Sequence, residues 1–129
     1  MDRDTAGRTA LINATIDRER VKAQRLLESG ADPNAVDKAG WSALHFAAQN
    51  CDAELVQLLV RAGAALETQD GNGNSPLWRA VMSYRGGAEA ITPLLNAGAN
   101  PDAANLHGVS PRSLASTVAN YDTAKFFEA

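Results

Sequence analysis

Cysteine is nearly absent: Cys51 is the only one in 129 residues. A single thiol cannot build an intrachain disulfide framework and suits a reducing compartment. Histidine is almost as scarce, with His45 and His107 alone, and no Cys/His spacing suits zinc. No apolar run approaches the roughly 20 residues that a spanning helix needs, so no membrane association is expected. The start, Met1-Asp2-Arg3-Asp4, is charged and no apolar stretch follows it, which leaves out a secretory signal. The cytoplasm is the expected compartment, with leaderless secretion the alternative. The net charge of −3 is too small to argue for nucleic acid or an anionic membrane. Basic residues alternate with acidic ones, so no nucleic-acid stripe forms. Linkers and low-complexity segments are missing too, and one domain over 1–129 is expected.

What the chain has is a period. Gly7, Gly40 and Gly73 are 33 residues apart, and Gly108 follows after 35. Asp4, Asp37 and Asp70 keep the same step, with Asn105 in the fourth place. Thr9-Ala10-Leu11-Ile12, Ser42-Ala43-Leu44-His45, Ser75-Pro76-Leu77-Trp78 and Ser110-Pro111-Arg112-Ser113 align at the start of each unit. Gly30-Ala31-Asp32, Gly63-Ala64-Ala65 and Gly98-Ala99-Asn100 align at the end. Each unit reads as a turn, a short helix capped by Thr or Ser, a second helix and a glycine stop.

A 33-residue helix-turn-helix period with Ser42-Ala43-Leu44-His45-Phe46-Ala47 at its centre resembles the ankyrin repeat, whose signature is Thr-Pro-Leu-His-x-Ala. The resemblance covers about 4–129. It implies an all-α solenoid of four helix-turn-helix repeats, about 4–36, 37–69, 70–104 and 105–129, joined by β-hairpin-like loops. Repeat three carries two extra residues between Ala80 and Gly98. The surplus falls in Val81–Glu89, where Gly86-Gly87 suits an extended first helix or a longer loop. Pro93 requires the next helix to begin near Thr92. In repeat four Arg112 replaces the core leucine, Leu114 is the nearest apolar substitute, and Phe126-Phe127 stand at the Leu-Leu place. That departure fits a C-terminal cap.

No catalytic constellation emerges, and neither cofactor nor metal is expected. His45 sits at the family's structural histidine. Asp37, Asp70 and Asn105 recur one per turn, which fits Asx turns better than ligands. Asp70-Gly71-Asn72-Gly73-Asn74 opens like a calcium loop but has Val81 at loop position twelve, where a bidentate Glu belongs. Cys51 is expected to be inert. Arg18, Glu19, Arg20, Lys22 and Arg25 read as a solvated terminal face.

The resemblance implies a concave face built from the hairpin tips and first helices. It includes Val36, Lys38, Trp41, Asn72, Asn74, Leu106, His107, Gln49, Asn50 and Met82. Trp41, Gln49, Asn50, Asn74, Tyr84 and Arg85 are expected at the centre of a partner's footprint, with Lys38, Asn72 and His107 around them. Trp, Tyr and Arg dominate binding hot spots. Trp41→Ala and Tyr84→Ala are therefore expected to weaken binding with little change in melting.

The expected function is a non-catalytic protein-binding module, monomeric when free. Gly73-Asn74-Ser75-Pro76-Leu77, the glycine insertion and the ending Ala119-Asn120-Tyr121-Asp122 with Phe126-Phe127 resemble small bacterial ankyrin proteins. Many of those are immunity partners of polymorphic toxins. The partner is then a toxin domain whose active site or substrate groove the concave face covers. A regulatory adaptor or scaffold for a cytoplasmic enzyme or assembly is the alternative, and an enzyme or accessory fragment the third reading.

Overall fold

The computed structural model describes residues 3–117 and 122–128. Helices follow in pairs: α1 (Ala10–Ile16) with α2 (Arg20–Glu28), α3 (Ala43–Gln49) with α4 (Ala53–Arg61), and α5 (Pro76–Ser83) with α6 (Ile91–Asn96). α7 (Pro111–Thr117) is followed by a 3₁₀ turn, Thr123–Phe127. Among the described residues there is no strand, and one isolated antiparallel bridge joins Val36 to Ser42. Each connection between pairs carries a tight turn at its tip, closed by a backbone bond such as Asp37 N–H to Trp41 O at 2.9 Å and Asp70 N–H to Asn74 O at 3.1 Å.

Each first helix starts where a hydroxyl can take over an unpaired amide. Thr9, Ser42 and Ser75 accept from the N–H of Ile12, His45 and Trp78 at 3.2, 3.4 and 3.2 Å. Ala14, Ala47, Ala80 and Ala115 recur at one register position and are all buried. Their small side chains let α1, α3, α5 and α7 lie side by side. Leu44, Leu55, Val56, Leu59, Leu77, Val81, Ile91 and Leu94 fill the space between the layers at 0% exposure.

The surplus in repeat three goes mostly into the connection. α5 is one residue longer than α3, and seven residues, 84–90, separate α5 from α6 where three separate α3 from α4. α6 begins at Ile91, one residue before the expected start, with Pro93 in its first turn. In the last unit Arg112 stays exposed and pairs with Asp102 at 2.8 Å, and its Nη1 donates to the carbonyl of Phe127 at 3.0 Å. The part of the C-terminal ending at 119–121 lies outside the described residues.

The turns are nearly copies of one another. The Oδ1 of Asp4, Asp37, Asp70 and Asn105 each accepts two backbone N–H groups, from the residues two and four further on, at 2.8–3.0 Å. Neighbouring tips are then joined by one backbone bond per joint: Lys38 N–H to Ala6 O at 3.0 Å, Gly71 N–H to Ala39 O at 2.9 Å, and Leu106 N–H to Asn72 O at 3.1 Å. The approach is closest at Gly73. Its φ is +78°, and a Cβ there would lie 2.8 Å from the Leu106 nitrogen. Gly73 is therefore required by the neighbouring tip as well as by its own backbone.

Candidate partner-binding face

The tips and first helices bring together a ribbon of aromatic and guanidinium groups. Arg8 lies over the Phe46 ring at 5.5 Å, and Phe46 meets Trp41 at 4.7 Å. Arg79 lies over Trp41 at 4.2 Å and reaches Trp78 at 5.4 Å. Two register columns produce it. Arg8, Trp41 and Asn74 occupy the tip position just after the turn glycine, and Asn13, Phe46 and Arg79 occupy one position on the first helices. Both columns repeat every 33 residues.

The second column also explains how the turn carboxylates are satisfied. Asp4 Oδ2 accepts from Asn13 Nδ2 at 3.2 Å, and Asp70 Oδ2 accepts from Arg79 Nε and Nη2 at 3.2 and 2.8 Å. Phe46 cannot donate, so Arg8 of the preceding unit approaches Asp37 Oδ2 at 3.9 Å instead. The Asp70 side chain is fully buried. Desolvation alone would raise its pKa, but Arg79 and the Asn74 and Asn72 N–H groups outweigh it and hold the carboxyl below its ordinary value.

His45 is fully buried and ties two units together. Its Nδ1 accepts from Ser42 N–H at 3.1 Å, which leaves Nε2 to donate to the Asn74 carbonyl at 2.8 Å. Burial, the largest influence, pushes its pKa below the ordinary imidazole value despite that carbonyl. Trp78 takes the same register position in the next unit, and its buried Nε1 has no hydrogen-bond partner among the described residues. The joint with the last unit is made instead by Asn105 Nδ2 donating to Asn74 Oδ1 at 2.8 Å. Tyr84 also meets Phe126 edge-on there, at 5.2 Å.

These contacts revise the expected footprint. Asn74 is 3% exposed, and both its carbonyl and its amide oxygen are engaged between units. Tyr84 is 5% exposed because its ring closes over the C-terminal turn. Neither presents a side chain to a partner in this structure. Trp41 is half-buried, with Arg79 on one side and His45 and Phe46 beside it. Asn50 is half-buried too, and its Nδ2 donates to the Ile16 carbonyl at 3.2 Å. Lys38, Gln49, Asn72, Arg85 and His107 are exposed. Arg85 folds back, its Nη1 donating to the carbonyls of Met82 and Tyr84 at 2.9 Å.

Arg8, Phe46 and Arg79 are absent from the expected footprint. Reading the two columns at 33-residue spacing would have found them. Asp70, expected to close an Asx turn, accepts two backbone N–H groups on Oδ1 and Arg79 on Oδ2. Cys51 sits in the turn between α3 and α4 at φ +54°, and burial raises its thiol pKa. Its Sγ is 3.6 Å from the Ser83 carbonyl.

Stacked helix pairs with buried alanines, Asx-closed tips and a histidine bridge are the parts of a repeat solenoid built to present an extended binding surface. A family model described as ankyrin repeats (3 copies) matches residues 19–105, and the chain belongs to the ankyrin-repeat family. It is 32% identical over 128 residues to tyrosine-protein kinase HTK16 of Hydra vulgaris, covering 98% of this chain and 17% of that protein. It is 36% identical over 111 residues to protein PhlB of Serratia liquefaciens, covering 85% and 48%. The neurogenic locus notch homolog protein 1 of Danio rerio is 37% identical over 124 residues, covering 94% and 5%. The chain spans less than half the length of each of these relatives. Ankyrin repeats mark it as a protein-interaction module, and among the described residues no helix is long and apolar enough to cross a membrane.

Proposed function

We propose that the chain is a non-catalytic, monomeric protein-binding domain of four ankyrin repeats, about 4–36, 37–69, 70–104 and 105–129. It holds its partner on the face formed by the tips, hairpin-like in the family pattern, and the first helices. One observation carries this reading. Four large apolar side chains stand in solvent among the described residues: Val21, Val36, Met82 and Leu106. The last three belong to positions that the family pattern assigns to that face. Single exposed apolar residues such as Val21 on the outer face are ordinary, but three of the four falling on one face support an interaction surface there. Lys38, Gln49, Asn72, Arg85 and His107 are the exposed polar residues of that face. The half-buried Trp41 and Asn50 back them.

The finer reading is a cytoplasmic immunity protein that blocks a toxin by stoichiometric occlusion. Its support is the resemblance carried by Gly73–Leu77, the 84–90 insertion and the C-terminal ending. The adaptor reading shares the face and differs only in the partner. Affinity capture from the native source with the wild-type chain, Met82→Glu/Leu106→Glu and the outer-face control Val21→Glu tests the face. The face variant should lose the captured partner and the control should keep it; the opposite pattern refutes the assignment. Co-expression with the captured protein then separates the two: rescue of growth supports immunity, and a non-toxic partner supports the adaptor.

A further inference from the structure

A second candidate site lies at the far end of the first helices, where the turns within the helix pairs converge. A cavity of about 290 Å³ is lined there by Arg18 and Arg20 of the first pair, Cys51, Asp52, Ala53 and Glu54 of the second, and Ala88 and Glu89 of the third-pair insertion. Asp52 is its buried member, with a side chain 1% exposed. Its Oδ1 caps α4 by accepting from Leu55 N–H at 3.2 Å, and Arg20 Nε approaches the same oxygen at 3.6 Å. Its Oδ2 is sealed from solvent and has no hydrogen-bond partner among the described residues. A buried acceptor left without a donor is destabilising, the more so when charged.

We propose that this cavity binds a primary ammonium group, with Asp52 Oδ2 as its acceptor. Charge favours a cation: three carboxylates, Asp52, Glu54 and Glu89, face two guanidinium groups, Arg18 and Arg20, which leaves one negative charge that one ammonium cancels. Shape favours ammonium over guanidinium. Only one oxygen of Asp52 is free, and a planar fork is matched to two. Among the described residues no three His, Cys, Asp or Glu side chains come together to hold a metal ion. Arg20 is the movable wall. Its side chain is 50% exposed, lies 3.6 Å from Asp52 Oδ1 and is anchored at 2.8 Å to Glu54, itself 69% exposed on the rim; binding requires it to swing outward and let the ammonium reach Oδ2. The site is separate from the tip face, and its test does not depend on the proposed function.

A lysine side chain of a protein and a free diamine share this chemistry. Amide chemical-shift titrations of the whole chain with cadaverine and with Nα-acetyl-lysine methylamide test the site and separate the sources. Saturable shifts are expected at 51–54 and Glu89, and the tighter probe identifies the source. Asp52→Asn keeps a side-chain acceptor for the cap but removes the charge, and should weaken binding by about tenfold or more. Glu54→Gln removes an exposed rim carboxylate and the anchor of Arg20 without touching the buried cap, and should also weaken binding, which keeps the test decisive if Asp52→Asn lowers stability. Absent or non-saturating shifts, or affinities that both variants leave unchanged, overturn the proposal.

Discussion

Trp41, Arg79 and Asp70 form a staple between two units whose strength can be worked out. Arg79 joins Asp70 at 2.8 Å and lies 4.2 Å from the centre of the Trp41 ring, with 18% of its side chain exposed. A cation over an indole contributes about 0.5–1 kcal/mol in water and about 2 kcal/mol when desolvated. The low exposure of Arg79 puts this pair in the upper half, about 1–2 kcal/mol. A double-mutant cycle with Trp41→Leu and Arg79→Met, measured by equilibrium urea unfolding, should return a coupling of that size. Arg79→Met alone should be the most damaging single change of the cycle, because it also leaves the buried Asp70 Oδ2 without a donor. Arg79→Lys should recover part of the ion pair and little of the stack. Coupling within about 0.5 kcal/mol of zero, the usual scatter of additive sites, would refute the staple. This replaces the expectation that Trp41 can be truncated without loss of stability. Met82 and Leu106 are the cleaner probes of binding.

Three further outcomes follow from the buried contacts. His45 has a folded pKa below its unfolded one, so its contribution should be fully present above about pH 6.5 and be lost as pH falls through the folded value. Urea melts should show that slope, at most about 1.4 kcal/mol per pH unit for one proton, and His45→Gln should remove it. Gly73→Ala should destabilise by more than Gly108→Ala. The φ values are alike at +78° and +77°, but a Cβ at 73 meets the Leu106 backbone at 2.8 Å and one at 108 meets nothing within 4 Å; thermal melts of the two variants compare them. Leu44→Asp should unfold the chain, because it puts an unpaired charge at a position with 0% exposure, and a cooperative melt like wild type would show the core register to be wrong.

The sequence by itself determined the fold's period and its local chemistry. Caps, Asx turns and glycine stops act over two to four residues, so Thr9, Ser42, Asp37 and Asp70 could be read without knowing what lies beside them. Repetition then extended that local reading, because a unit that recurs every 33 residues must stack on its neighbour to bury its apolar face. The joints were decided by tertiary structure. Asn74 and Tyr84 look like surface residues in sequence, yet one bridges His45 to Asn105 and the other closes on Phe126. Arg8 and Arg79 look like surface charges, yet each meets a buried carboxylate, and Arg79 does so because its position on α5 faces the Asp70 turn. Such contacts depend on which side chains of adjacent units meet at about 10 Å spacing. The period fixes that spacing, but the pairings depend on the side chains at each joint, and apart from Asp70–Arg79, which lies within the third unit, no single repeat contains both partners.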